Sequence, residues 1–235
     1  MSNTAIYYSA LTQTLEKIHN TQTDAIMEVA KNVAKTIEND GIIYIFGCGH
    51  SHLIAGDAFY RAGGLANVCA MLDTDLMLHN GAAKSSAFER MEGLAKHIYR
   101  RYAPTKKDTL IVVSTSGINS VPIEMAELGR ANGVYTAAIC SSSYFGKKSR
   151  HSSGKLLYQC ADAYLDNCVP SGDAVVPIGD INMGAVSTAA SSLILNSVLV
   201  EAAGEAAKKV KPPIYMSGNV EGGAEYNEAL IERYT

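Results

Sequence analysis

Tryptophan is absent from this chain of 235 residues, proline occurs only 6 times, and charged side chains make up just 18%. An average soluble domain carries about 25% charge. The surface is therefore short of polar cover, and association with further copies of the chain is expected. The basic excess of a nucleic-acid binder is missing too: 20 Lys and Arg against 23 Asp and Glu leave a net charge of −3. That balance argues against a nucleic-acid partner. No apolar run approaches the roughly 20 residues that cross a bilayer, so no membrane partner is expected. The opening Met1-Ser2-Asn3-Thr4 has neither the basic cluster nor the apolar stretch of a signal peptide. No C-x-x-C pair occurs among the five scattered cysteines, Cys48, Cys69, Cys140, Cys160 and Cys168. They read as small reduced thiols, which points to the cytoplasm. The 47% apolar content excludes disorder.

What is present is an alternation of strands and helices. Two helices are expected at the start, Tyr8 to His19 and Thr23 to Asn39, the second with Ile26, Val29, Val33 and Ile37 on one face. The run Gly41-Ile42-Ile43-Tyr44-Ile45-Phe46 reads as a strand buried on both faces. A helix from Ser51 to Ala62, a strand from Ala66 to Met71 and a helix from Ser86 to Arg101 follow. Thr109 to Val113 is the clearest strand; a helix from Ser120 to Asn132 then ends at Gly133. Val134 to Cys140 and Ala161 to Leu165 supply two more strands. Pro170, Gly172, Pro177 and Gly179 mark Asn167 to Asn182 as a long loop. Helices from Gly184 to Ala203 and Ala224 to Arg233 close the chain. This order predicts a single α/β domain over residues 1–235, a three-layer α/β/α sandwich around a five-stranded parallel sheet. Residues 1–40 form N-terminal helices, 41–183 the α/β core and 184–235 the C-terminal helices.

Ligands of open parallel sheets lie beyond the carboxyl ends of the strands, near helix N-termini. Three such junctions here are rich in hydroxyls and glycine: Gly47-Cys48-Gly49-His50-Ser51-His52, Ser114-Thr115-Ser116-Gly117-Ile118-Asn119, and Cys140-Ser141-Ser142-Ser143. Each offers N–H groups and hydroxyls to an anion. The first two contain no lysine or arginine, so a phosphate there would rely on hydroxyls and helix dipoles. A dinucleotide site fits poorly, because Gly47-x-Gly49 lacks the third glycine and has His52 in its place, although Asp73 stands at a tolerable distance. No G-K-[ST] occurs, which excludes a P-loop. No cofactor is expected.

These junctions resemble the SIS (sugar isomerase) domain of phosphosugar-binding proteins, and the resemblance covers nearly the whole chain. Ser114-Thr115-Ser116-Gly117 is its most specific motif. Phe59 to Leu65, His151-Ser152-Ser153-Gly154-Lys155, Asp166-Asn167 and Gly172-Asp173-Ala174 resemble one particular branch of that family. That branch resembles the N-acetylmuramic acid 6-phosphate etherases and the phosphosugar isomerases; Leu193 to Asn196 and Asn227 fall where the etherases carry similar residues. The resemblance implies a homodimer or homotetramer with a sugar phosphate as ligand. It carries the phosphate contacts to Ser51, Ser114, Thr115, Ser116 and Asn119.

The resemblance further implies proton abstraction next to a carbonyl. Glu89 and Glu92 stand where the etherases carry their glutamate, Glu92-Gly93 matching better, but Leu94-Ala95-Lys96 replace the acids that follow there. Both glutamates equally suit the first turn of a helix without catalysis. The isomerase glutamate of the helix after the first loop falls at Tyr60 or Arg61, with Asp57 the nearest acid. His50 and His151 are candidates to assist proton transfer, and Gly49, His52 and Lys155 to contact substrate. Ser152-Ser153-Gly154 is read as the start of a helix that aims Lys155 at an anion, or else as a plain cap. His50-x-His52 is a weak zinc signal without a third ligand, so no metal is expected. Asn167 and Asp173 line the site or form Asx turns. The leading expectation is an isomerase of an amino- or N-acetyl-hexose phosphate. The alternatives are an etherase-type lyase and a non-catalytic phosphosugar sensor.

Overall fold

The computed structural model describes residues 1–235. Five strands, β1 (Ile43–Gly47), β2 (Val68–Met71), β3 (Thr109–Val113), β4 (Tyr135–Cys140) and β5 (Ala163–Asp166), form one parallel sheet in the order β2-β1-β3-β4-β5. A separate antiparallel hairpin joins β6 (Ala174–Ile178) to β7 (Ile181–Ala185). The helices are α1 (Asn3–Glu38), α2 (His52–Ala58), α3 (Ala82–Phe88), α4 (Leu94–Tyr102), α5 (Ser120–Ala131), α6 (Leu157–Cys160), α7 (Ser187–Ala206) and α8 (Gly223–Tyr234).

The period of two along each strand divides the core into two layers. Ile43, Ile45, Ile111, Val113, Ala137 and Ile139 face α1, α2 and α7, where Val33, Ile54, Ile194 and Val198 meet them. Phe46, Leu110, Val112 and Ala138 face the other way, onto Ile98 of α4, Ile123 and Met125 of α5 and Leu157 of α6. Every residue of β3 is buried, which explains why it reads as an unbroken apolar run with no alternation.

Several elements differ from the sequence expectation, each for a local reason. The N-terminal helices are one continuous helix of 36 residues. Thr21 and Thr23, which read as a break, return their hydroxyls to the carbonyls of Lys17 and His19 and leave the backbone helical. The helix after β1 ends at Ala58, where Phe59 turns extended and Tyr60 adopts φ +48°. The helix expected from Ser86 is two helices parted by residues 89–93, with Gly93 at φ +87°. Glu89 and Glu92 therefore stand in a turn and not in a first helical turn. The long loop after Asn167 contains the β6–β7 hairpin, in which Gly179-Asp180 makes a two-residue turn between Ile178 and Ile181. Pro177 is tolerated because a two-stranded ribbon has free edges. Ser152-Ser153-Gly154 is a turn that starts no helix; α6 begins only at Leu157.

Candidate functional site

The strand order creates a crevice between β1 and β3. The chain leaves β1 into α2, which buries Ile54, Ala55 and Ala58 on one face of the sheet. It leaves β3 into α5, which buries Val121, Ile123 and Met125 on the other. Two connections that diverge in this way part the loops at the strands' carboxyl ends, where ligands of such sheets bind. Gly47 is level with Val113 across the sheet, so both loops start at the same height.

In the first loop, a Cβ on Gly47 would fall 2.6 Å from the Ser51 carbonyl, so only glycine lets the chain fold back there. Gly49–Ser51 form a 3₁₀ turn that runs into α2. His52 is buried, with its Nδ1 on the Gly49 carbonyl and its ring 5.6 Å from that of His79. It braces the loop from behind. Gly49 and Ser51 remain partly open, and His50 is exposed.

The second loop presents unpaired donors. The amides of Thr115, Ser116, Ile118 and Asn119 donate to no other group of the chain. They lead into the N-terminus of α5, a helix of 12 residues whose dipole favours negative charge. Gly117 takes φ +59° to make the turn, and its amide donates to the Ser114 hydroxyl at 3.3 Å. Asn167, fully buried, donates to Thr115 Oγ1 at 3.2 Å and to Ser191 Oγ at 3.1 Å. It also accepts from the Val169 amide, so it forms an Asx turn and positions the loop together.

A cation joins this loop from a distance in sequence. Arg150 Nη1 donates to Asn119 Oδ1 at 2.7 Å, and its own amide donates to the Ile118 carbonyl at 2.8 Å. The sequence reading missed Arg150, although it immediately precedes the His151-Ser152-Ser153 stretch already singled out. The third junction is closed to a ligand. Ser141 and Ser143 both direct their hydroxyls to the Val169 carbonyl, and the Ser142 amide donates to Asp166.

Glu89 stands between the first two loops. Burial pushes its carboxyl above the ordinary carboxylate range, and the facing Asn119 side chain and Arg150 pull it part of the way back. Its charge is felt by the Cys48 thiol of the first loop, which burial drives well above its usual value. The Glu89 carbonyl accepts from the Val121 amide at 3.1 Å, tying the turn to α5.

Glu92 and His151 come together elsewhere. Glu92 is exposed, and hydrogen bonds from the Ser152 hydroxyl and amide hold its carboxyl below its ordinary range. His151 Nε2 lies 3.9 Å from Glu92 and 3.7 Å from Glu124. Lys155 turns outward and pairs with Glu127 at 3.0 Å. Glu127 is eight positions along from Asn119, about 12 Å at the helical rise, so Lys155 is not brought to the loops. Asp57 is paired with Arg61. Asp173 caps α7 through the Val186 and Ser187 amides, and Asn227 clasps the Met216 backbone.

Fold and loops define an open α/β/α sandwich whose switch-point crevice carries unpaired amides, hydroxyls and one half-buried carboxyl. The chain belongs to the SIS domain family, whose profile matches residues 6–141, and within it to the UPF0309 proteins. It is 42% identical over 236 residues to a UPF0309 protein of Caldanaerobacter subterraneus subsp. tengcongensis, covering 97% of this chain and 96% of the relative. The fold is similar to that of a phosphoheptose isomerase from Francisella tularensis, with a TM-score of 0.57 and 18% identity over 83% of this chain and 94% of the other. It is also similar to the sugar isomerase domain of an RpiR transcription factor from Sphaerobacter thermophilus, with a TM-score of 0.51 and 18% identity over 86% and 89% of the two chains. At these identities the likeness is one of fold. No helix is long and apolar enough to cross a membrane.

Proposed function

We propose that the chain binds a sugar phosphate in the β1–β3 crevice and isomerises it, the substrate being an amino- or N-acetyl-hexose phosphate. The observation that carries this reading is Glu89: a half-buried carboxyl beside an anion-ready loop, with its pKa raised above the ordinary glutamate value by desolvation. The four unpaired amides between Thr115 and Asn119 take the phosphate oxygens, with the Ser51, Ser114 and Ser116 hydroxyls around them. Arg150 adds the positive charge that neither loop contains. The phosphate then supplies binding energy remote from the reacting carbons, which holds the sugar in register with Glu89.

In the reaction the Glu89 carboxylate removes the proton from the carbon next to the carbonyl, leaving an enediolate, which requires a hydroxyl on that carbon and places the amino or N-acetyl group elsewhere on the hexose. It returns that proton to the neighbouring carbon, so no group is gained or lost overall. His50, exposed in the first loop, is the candidate to move the proton between the two sugar oxygens. A sensor would need the loop but no such base. The name of the Francisella neighbour corresponds to the catalytic reading and that of the Sphaerobacter neighbour to the sensing one.

Two measurements test this. Thermal melting against paired sugars, with and without phosphate, should show stabilisation by a phosphosugar alone; at 100 times its Kd a ligand adds about 2.7 kcal/mol. Incubation of that phosphosugar in D₂O should then introduce deuterium beside its carbonyl. Binding without exchange leaves the sensor, and no shift across the whole panel removes the phosphosugar reading.

A further inference from the structure

We infer that Glu92, Glu124 and His151 form a binding site for one divalent transition-metal ion of the zinc type, separate from the phosphate loops. One donor atom from each lies within 4.8 Å of the others. The three come from three segments: the turn after α3, the middle of α5, and the stretch between β4 and α6. An ion there would cross-link them.

The distances suit coordination better than hydrogen bonding. His151 Nε2 is 3.7 Å from Glu124 Oε1 and 3.9 Å from Glu92 Oε2, beyond hydrogen-bond reach. Donors held at zinc's usual 2.0–2.1 Å lie about 3.4 Å from one another in a tetrahedron and about 3.6 Å apart in a plane, so contraction by a few tenths of an ångström brings each carboxylate to coordination distance from the imidazole, and the two carboxylates, within 4.8 Å, close the rest. Two further observations point to an absent ligand. The His151 side chain is nine-tenths buried, yet its Nε2 is aimed at these carboxylates without a hydrogen bond. Glu124 Oε2 is buried with no partner at all.

The surroundings are those of an oriented ligand set. His151 Nδ1 is 2.7 Å from Ser153 Oγ; in the tautomer that donates there, Nε2 presents its lone pair. The Ser153 amide, 3.3 Å from the same nitrogen, is the weaker competing contact. Ser152 holds both Glu92 oxygens, at 2.6 and 2.8 Å, and the Gly93 amide holds Glu124 Oε1 at 2.7 Å. Imidazole with two carboxylates favours zinc over magnesium, which prefers oxygen alone and keeps its water. Exposed Glu92 leaves an entry path and room for water as a fourth ligand.

The rival is a protonated imidazole held by two carboxylates without metal. Protein treated with chelator and dialysed should bind Zn²⁺ at one ion per chain and melt at higher temperature with it, whereas Mg²⁺ should do neither. Glu124→Gln and His151→Ala should weaken Zn²⁺ binding at least tenfold, and Glu92→Gln, on an exposed side chain that the fold does not need, should do the same. His79→Ala, in the His52–His79 pair away from these ligands, should leave it unchanged. Failure to bind Zn²⁺ stoichiometrically overturns the site, as does binding that survives both Glu92→Gln and His151→Ala or is lost in His79→Ala. No sugar enters these titrations, so their outcome is independent of the phosphosugar reading.

Discussion

Glu89, Asn119 and Arg150 carry the residue-scale argument, because each has a different share in it. Glu89→Gln keeps shape and burial but removes the base. Deuterium exchange into the phosphosugar should fall by about 10²- to 10⁴-fold, while the thermal shift by the same ligand persists. Loss of both together would reassign Glu89 to binding. Arg150→Ala should do the reverse: it removes a charge-assisted partner of the anion, worth about 1.5–3 kcal/mol, and weakens binding roughly 10- to 100-fold at little change in turnover. Isothermal titration with the phosphosugar reads this directly. The raised Glu89 pKa also sets a pH dependence. The base must be ionised, so kcat/KM should climb as pH rises through a value above the ordinary glutamate range, and Glu89→Gln should abolish that limb.

At the scale of elements, two helices are held by residues outside them. Val186 at the start of α7 has no side chain able to cap, and Asp173 does so from across the hairpin, accepting from the Val186 and Ser187 amides and the Ser187 hydroxyl at 2.9, 2.8 and 2.6 Å. Asp173→Ala should cost about 1–2 kcal/mol in urea unfolding. The last helix, α8, is tethered by Asp40, which accepts from Arg233 at 2.6 Å and Tyr234 at 2.7 Å. These bonds hold the Asp40 carboxyl below 3.8 in the folded chain, Arg233 contributing most. A lowered folded pKa means stability that is complete at neutral pH and lost as pH falls through 3.8 and below. The protection of residues 223–234 against amide exchange, taken relative to intrinsic rates at each pH, should therefore fall in acid before that of the sheet, and Asp40→Asn should reproduce the effect at pH 7. The same scale shows what was legible. Strands buried on both faces announced themselves as apolar runs, whereas the Gly179-Asp180 hairpin was hidden by Pro177 and by the shortness of its arms. The continuity of α1 was hidden because threonine serves equally in a helix or a break.

On the whole molecule, apolar side chains left in solvent mark where the scarce charge tells. Val200 is 69% exposed, with Met27 at 38% and Leu193 at 37%, along the outer side of α1 and α7. With so little charge on the chain, this strip is where a second copy is expected to pack. Light scattering after gel filtration should give a dimer or tetramer, and Val200→Arg with Leu193→Arg should shift it toward monomer. A wild-type monomer at tens of micromolar would refute that reading.

The sequence by itself determined the sheet, its two covering layers and the loops from Gly47 to His52 and from Ser114 to Asn119, because each depends on neighbours within a few positions. Apolar period, glycine turns and helix starts are local properties of a chain. Which acid meets those loops was decided only by the tertiary structure. Glu89 and Glu92 are three residues apart and of one chemistry; Gly93 and the docking of their turn on α5 half-bury the first and expose the second. Arg150 and Glu124 were equally out of reach, since their partners lie 27 or more positions away and no spacing rule connects them.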